Sequence, residues 1–150
     1  MKRPTIANVK KLADDWFSLF VRLRGADYSG FVKCVTCGAK KHFRNIDAGH
    51  FQPRGNMATR FDERNVNPQD FLCNKVRQGE QVKHARYIDG RHGAGVSLEL
   101  EVLAKSTRKM GLMDFVEIAI KYRRLAIIEA EKRGIQIVKS MGTKILDENA

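Results

Sequence analysis

The sequence predicts an α+β chain that is mostly helical, with a small extended, cysteine-bearing core set between helices. Three observations predict it. Residues 5–24 and 97–133 place apolar side chains at helical spacing. Residues 31–52 hold short β-branched and extended stretches around a Cys-x-x-Cys pair. The glycines of residues 89–95 break the chain between these two regimes.

In residues 5–24, Ile6, Val9, Leu12, Ala13, Trp16, Phe17, Phe20 and Leu23 share one helical face, with Thr5 placed as the N-cap and Gly25 as the stop. This is a packing helix, and Trp16 reads as core. Residues 31–38, FVKCVTCG, read as a zinc knuckle, a tight turn that brings backbone amides to two thiolates. Residues 42–52 read as an extended arm, 53–64 as a polar loop, and a helix is predicted from near Phe71 toward Tyr87. Residues 97–110 and 112–133 read as two helices parted by Gly111. The second is apolar over much of its circumference, and residues 135–150 show no pattern. The predicted organisation is an N-terminal helix in 1–30, a core in 31–88, a helical region in 96–134 and a tail in 135–150, all within one domain.

With 28 basic and 17 acidic residues the net charge is +11. The basic residues divide evenly between the two halves, as on a broad surface that meets a polyanion. No apolar run reaches the roughly 20 residues a membrane helix needs, and no signal-peptide stretch follows Met1, so an intracellular protein without a membrane partner is expected. Three cysteines, two as Cys34 and Cys37, fit a metal site better than a disulfide framework.

The chemistry lies between Cys34 and Asn74. In order come Cys34-Val35-Thr36-Cys37-Gly38, Ala48-Gly49-His50-Phe51, Arg60 through Val66 (RFDERNV), Gln69, and Cys73-Asn74 followed by Gly79. Soft thiolates, a histidine near the acidic Asp47, and a late Cys-Asn pair each mean little alone. Their order is more specific. It resembles the HNH (ββα-metal) endonuclease superfamily, and more closely the phage NinG/Rap recombination endonucleases, over about residues 12–87.

The resemblance implies a ββα-metal core and a DNA endonuclease of the bacterial host's cytoplasm that acts on branched recombination intermediates, Holliday junctions and D-loops. It implies His50 as general base, Asn74 and Asp47 as ligands of a catalytic Mg²⁺ or Mn²⁺, and Asn65 as the residue that ties down the loop carrying the base. Many relatives place an acidic residue directly before the histidine. Here Gly49 stands there, so a bulge at Ala48-Gly49 is required for Asp47 and His50 to face one phosphate. The family's second cysteine pair reads Asp70-Phe71-Leu72-Cys73 here, so structural Zn²⁺ is assigned to Cys34, Cys37, Asp70 and Cys73.

Arg54, Arg60 and Arg64 are candidate phosphate contacts, and Lys75, Arg77, Lys83 and Arg86 a candidate basic stripe on the helix after Asn74. His42, His84 and His92 read as surface residues or phosphate contacts. Coordinated cutting of a junction calls for a homodimer, with the apolar helix 112–133 as its interface. Two other readings stand beside this one: a less selective HNH nicking endonuclease, and a non-catalytic zinc-containing DNA-binding module.

Overall fold

The computed structural model describes residues 3–147; Met1 and Lys2 of the basic N-terminus and residues 148–150 of the tail lie outside the described residues. Helix α1 (Ile6–Arg24) forms where the apolar spacing predicts. Thr5 Oγ1 accepts the Asn8 N–H at 3.2 Å, and Gly25 caps the other end. Its buried face, Val9, Ala13, Trp16, Phe17 and Val21, packs on α5 (Leu112–Lys132) in the most extensive contact between any two elements.

That contact accounts for most of the apolar surface expected at 112–133. The apolar face of α5, with Phe115, Val116, Ala119, Tyr122, Ala126 and Ala130, is buried inside the chain. That face is spent on α1, and what α5 leaves exposed is narrower: Leu112, Met113 and Ile128. The tail is also more ordered than its sequence shows. Trp16 Nε1 donates to Met141 O at 3.1 Å, and Leu146 of the short α6 (Thr143–Asp147) is buried. Trp16 is fully enclosed, so it is core and not a stacking platform.

Two small antiparallel sheets sit at the C-terminal half of α1. In the first, β1 (Phe31–Lys33) pairs with β2 (Lys40–His42). In the second, β3 (Asp47–His50) pairs with β4 (Val66–Gln69), setting Gly49 opposite Asn67 and His50 opposite Val66. A tight turn over Phe43–Asn45 interrupts the arm predicted as extended, and the predicted loop holds one helical turn, α2 (Met57–Arg60).

The predicted helix after Phe71 is two pieces. Leu72–Val76 form a wide turn in which Arg77 N–H reaches Leu72 O, five residues back, at 2.8 Å. Gln78, Gly79 and Glu80 then take φ of 53°, 83° and 47°. Three left-handed residues in a row cannot continue a right-handed helix. Helix α3 (Gln81–His92) starts afresh, and the 93–95 turn leads into α4 (Val96–Ala104), shorter than predicted. The proposed stripe of Lys75, Arg77, Lys83 and Arg86 is therefore split between two elements. Among the described residues no helix is long and apolar enough to cross a membrane.

Candidate functional site

The first cluster forms where β1 runs into a tight turn. Gly38, at φ 78°, lets the turn close, and its N–H bonds Cys34 O at 2.9 Å. The wide turn after β4 brings Cys73 to the same place. The sulfurs of Cys34, Cys37 and Cys73 lie within 4.8 Å of one another. Backbone N–H groups of Asp70, Thr36 and Cys37 address Cys34 Sγ, and Ala39 N–H donates to Cys37 Sγ at 3.4 Å. Burial alone raises the Cys34 pKa, but the Thr36 hydroxyl and these amides outweigh it and bring it down to about 7. Soft ligands that converge, with amides aimed at thiolate charge, fit a metal such as zinc.

Asp70 is corrected here. Its carboxylate does not join the three sulfurs, because its backbone amide is what the fold turns toward Cys34. Arg77 leans on Cys73 Sγ at 3.8 Å and on Glu80 at 3.9 Å, so part of its charge faces the thiols. We expect purified protein to carry one zinc per chain by elemental analysis, and Cys73→Ser to lose it with a fall in melting temperature. Metal-free wild-type protein that melts at the same temperature as zinc-loaded protein would rule out a structural role.

The second cluster is a pocket of about 320 Å³ lined by Asp14, Phe17 and Ser18 of α1, Ala48 and His50 of β3, Pro53, Arg54, Asn74 and Lys75. His50 Nε2 lies 3.0 Å from Arg60 O. A carbonyl only accepts, so Nε2 carries the proton and Nδ1 keeps its lone pair. Asn65 is fully buried and ties the adjoining loop: Gln52 N–H donates to Oδ1 at 2.8 Å, and Nδ2 donates to Thr59 O at 3.1 Å and Gln52 O at 3.2 Å. Asn74 Nδ2 donates to Asp47 Oδ2 at 2.9 Å.

The strand register is regular, with no bulge at Ala48-Gly49. Ala48 and His50 therefore face the pocket together, and Asp47 stands outside its lining and reaches it through Asn74. Gly49 has its own reason. A Cβ there would collide with the Gln69 side chain, whose Nε2 is fixed on Gly79 O at 2.9 Å. No acidic residue fits directly before His50 in this chain.

The comparisons with known proteins bear on both clusters. The family model described as Bacteriophage Lambda NinG protein matches residues 4–132. The chain belongs to the NinG family. Relatives of the same name, Protein ninG of Salmonella phage P22 and of Escherichia phage 933W, are 30% identical over 92 residues, 61% of this chain. The aligned region is 43% of each relative, so this NinG chain spans less than half the length of the curated relatives it matches. No solved structure matches it.

The remaining predicted residues of this NinG chain separate by environment. Arg54 and Lys75 are exposed at the pocket rim, and Arg86 is exposed on α3. Lys83 sits 3.8 Å from Glu80. Arg64 is paired with Asp62 at 2.8 Å and Glu99 at 3.1 Å, so its charge is shared with two carboxylates. Arg60 is buried, held by both carboxylate oxygens of Asp14 and donating to Arg54 O at 2.7 Å. It is structural and not a DNA contact.

Asp14 is the residue that sequence reasoning missed, since its helix reads as packing alone. Its signal is indirect: a buried arginine needs a carboxylate.

His84 is likewise corrected. It is buried, and its Nε2 accepts from Asn67 Nδ2 at 3.1 Å.

Burial pushes both His50 and His84 down to about 4. The unfolded chain binds these protons near pH 6.5 and the folded chain does not until about pH 4, so stability falls as pH drops through that window. Denaturation at pH 7, 6 and 5 is expected to show this decline, with up to two protons taken up on unfolding; a flat profile would contradict the burial of both rings.

Proposed function

We propose that this protein is a divalent-metal-dependent endonuclease that hydrolyses phosphodiester bonds in branched DNA during phage recombination, in the cytoplasm of the infected bacterium. The observation that carries the chemistry is the orientation of His50. With Nε2–H held on the Arg60 carbonyl, Nδ1 is left as an acceptor in a pocket rimmed by two cations. There it takes a proton from water as the water attacks phosphorus. Arg54 and Lys75 hold the phosphate, and Asn65 fixes the loop behind the base.

Asn74 is the hard oxygen donor that lines the pocket, and with Asp47 behind it, bonded to its Nδ2 and outside the lining, it suits Mg²⁺ or Mn²⁺, which take one or two protein ligands together with waters and phosphate oxygens. Such an ion stabilises charge on the phosphate and the departing oxygen. The cysteine cluster, with zinc, fixes the wide turn that carries Asn74. Preference for branched DNA rests on the resemblance to recombination endonucleases, and paired incisions call for two copies on one junction.

The test is cleavage of a four-way junction and of a linear duplex of matched sequence, with and without added Mg²⁺ or Mn²⁺. Metal-dependent cutting that is faster on the junction is expected. Equal rates would defeat the branched-DNA part, and no metal-dependent cutting of either DNA would defeat the enzyme reading.

A further inference from the structure

A second concavity lies at the far end of α1. It has a volume of about 560 Å³ and shares no lining residue with the His50 pocket. Arg24 of α1, Lys33 of β1, Lys40 of β2 and Tyr87 and Arg91 of α3 line it, with Asp27 as the one acidic residue.

Its charge is unbalanced. Lys33 and Lys40 stand directly opposite each other across the β1–β2 pair, where like charges cost stability. Lys40 has relief from Asp27 at 3.2 Å. Arg24 is fixed by Glu63 and by the carbonyls of Glu63 and Val66. Lys33 and Arg91 are exposed, and among the described residues neither side chain has a hydrogen-bond or ion-pair partner. Tyr87 and Arg91, one helical turn apart on α3, both line the cleft. Nothing in the His50 chemistry uses any of these groups.

We propose that this cleft binds the sugar–phosphate backbone of a second arm of the DNA. Two open cations set across a groove answer to successive phosphates of one strand, and an anion between Lys33 and Lys40 removes their repulsion. The placement fits a branched substrate. From Asp14 to Arg24 the helix rises about 15 Å at roughly 1.5 Å per residue, so an arm in this cleft leaves the His50 pocket free for the scissile phosphate. The inference rests on the DNA-cleaving reading for its substrate, but its test reads binding alone.

The test compares wild type with Lys33→Glu/Arg91→Glu, using fluorescence anisotropy of a labelled four-way junction and of a linear duplex without added Mg²⁺. Both residues are exposed, and an unchanged melting temperature checks the fold. Junction affinity is expected to fall at least about tenfold, and the slope of log affinity against log salt to shrink by about 2, from roughly 0.9 per lost phosphate contact. Linear duplex affinity is expected to change less. Arg91→Ala alone is expected to shrink the slope by about 1. Unchanged junction affinity and slope would overturn the cleft as a DNA site, and equal losses on junction and linear DNA would overturn the second arm. Failure of the cleavage reading shows separately, as absent metal-dependent cutting by wild type.

Discussion

His50→Ala is expected to lower metal-dependent cleavage by about 10²- to 10⁴-fold, the range for loss of a positioned general base, while DNA affinity stays within about twofold. On the proposed mechanism the two readouts separate, because His50 serves proton transfer and not charge. Burial keeps its imidazole neutral, with a pKa of about 4, so at neutral pH the ring offers phosphate no cation to lose. In that proposal the binding charge comes instead from Arg54 and Lys75, which line the same pocket. A base with so low a pKa also predicts cleavage that holds down to mildly acidic pH, until the ring protonates. His50→Ala with wild-type turnover would remove His50 from the mechanism. His50→Ala that loses affinity and turnover in equal measure would make it a binding residue.

What the sequence made legible, and what it did not, follows from the range of the interactions. Helix α1 was legible because its face repeats at local spacing and Thr5 and Gly25 punctuate it within a few residues. The clustering of the three cysteines was legible because ligand chemistry fixes residue type, and the structure sets His50 and Asn74 on one pocket with Asn65 tying the adjoining loop. The break after the wide turn was not, since Gln78 and Glu80 adopt left-handed backbone that their residue types rarely take. Asp70 was misread for a related reason: its place in the motif called for a ligand, but its backbone orientation supplies an amide. Residues 135–147 hold apolar side chains at irregular spacing, with Gly142 between them, so they give no periodic signal, yet Leu146 and the Met141 carbonyl find the buried Trp16 region across the chain. The candidate phosphate contacts were not separable in sequence, because charge alone does not say which cations are already paired. Arg60, Arg64 and Arg77 look alike in sequence, and only the fold gives each its partner.

Arg60→Ala is expected to cost about 3–5 kcal/mol of stability, the range for breaking a buried ion pair from one side. The Arg60 guanidinium donates to Asp14 through Nε at 2.9 Å and Nη2 at 2.5 Å, and both side chains are largely shielded from water. Without the arginine, the Asp14 carboxylate stays in place with no counter-charge and must be protonated or hydrated at the expense of packing. Urea denaturation measures the loss, and a change under about 1 kcal/mol would mean that water already screens the pair. A matched apolar replacement of both residues, Asp14→Leu/Arg60→Met, separates packing from chemistry. It is expected to recover most of the stability, because no charge is left unpaired. Cleavage is expected to recover less. The Arg60 carbonyl fixes the His50 tautomer, and that carbonyl is located in part by the guanidinium's bond to Arg54 O and its grip on α1. Stability regained with turnover still depressed would place Asp14 and Arg60 as positioning residues for the base, acting from a helix outside the motif. Full recovery of both would leave Asn65 as the one support the loop needs.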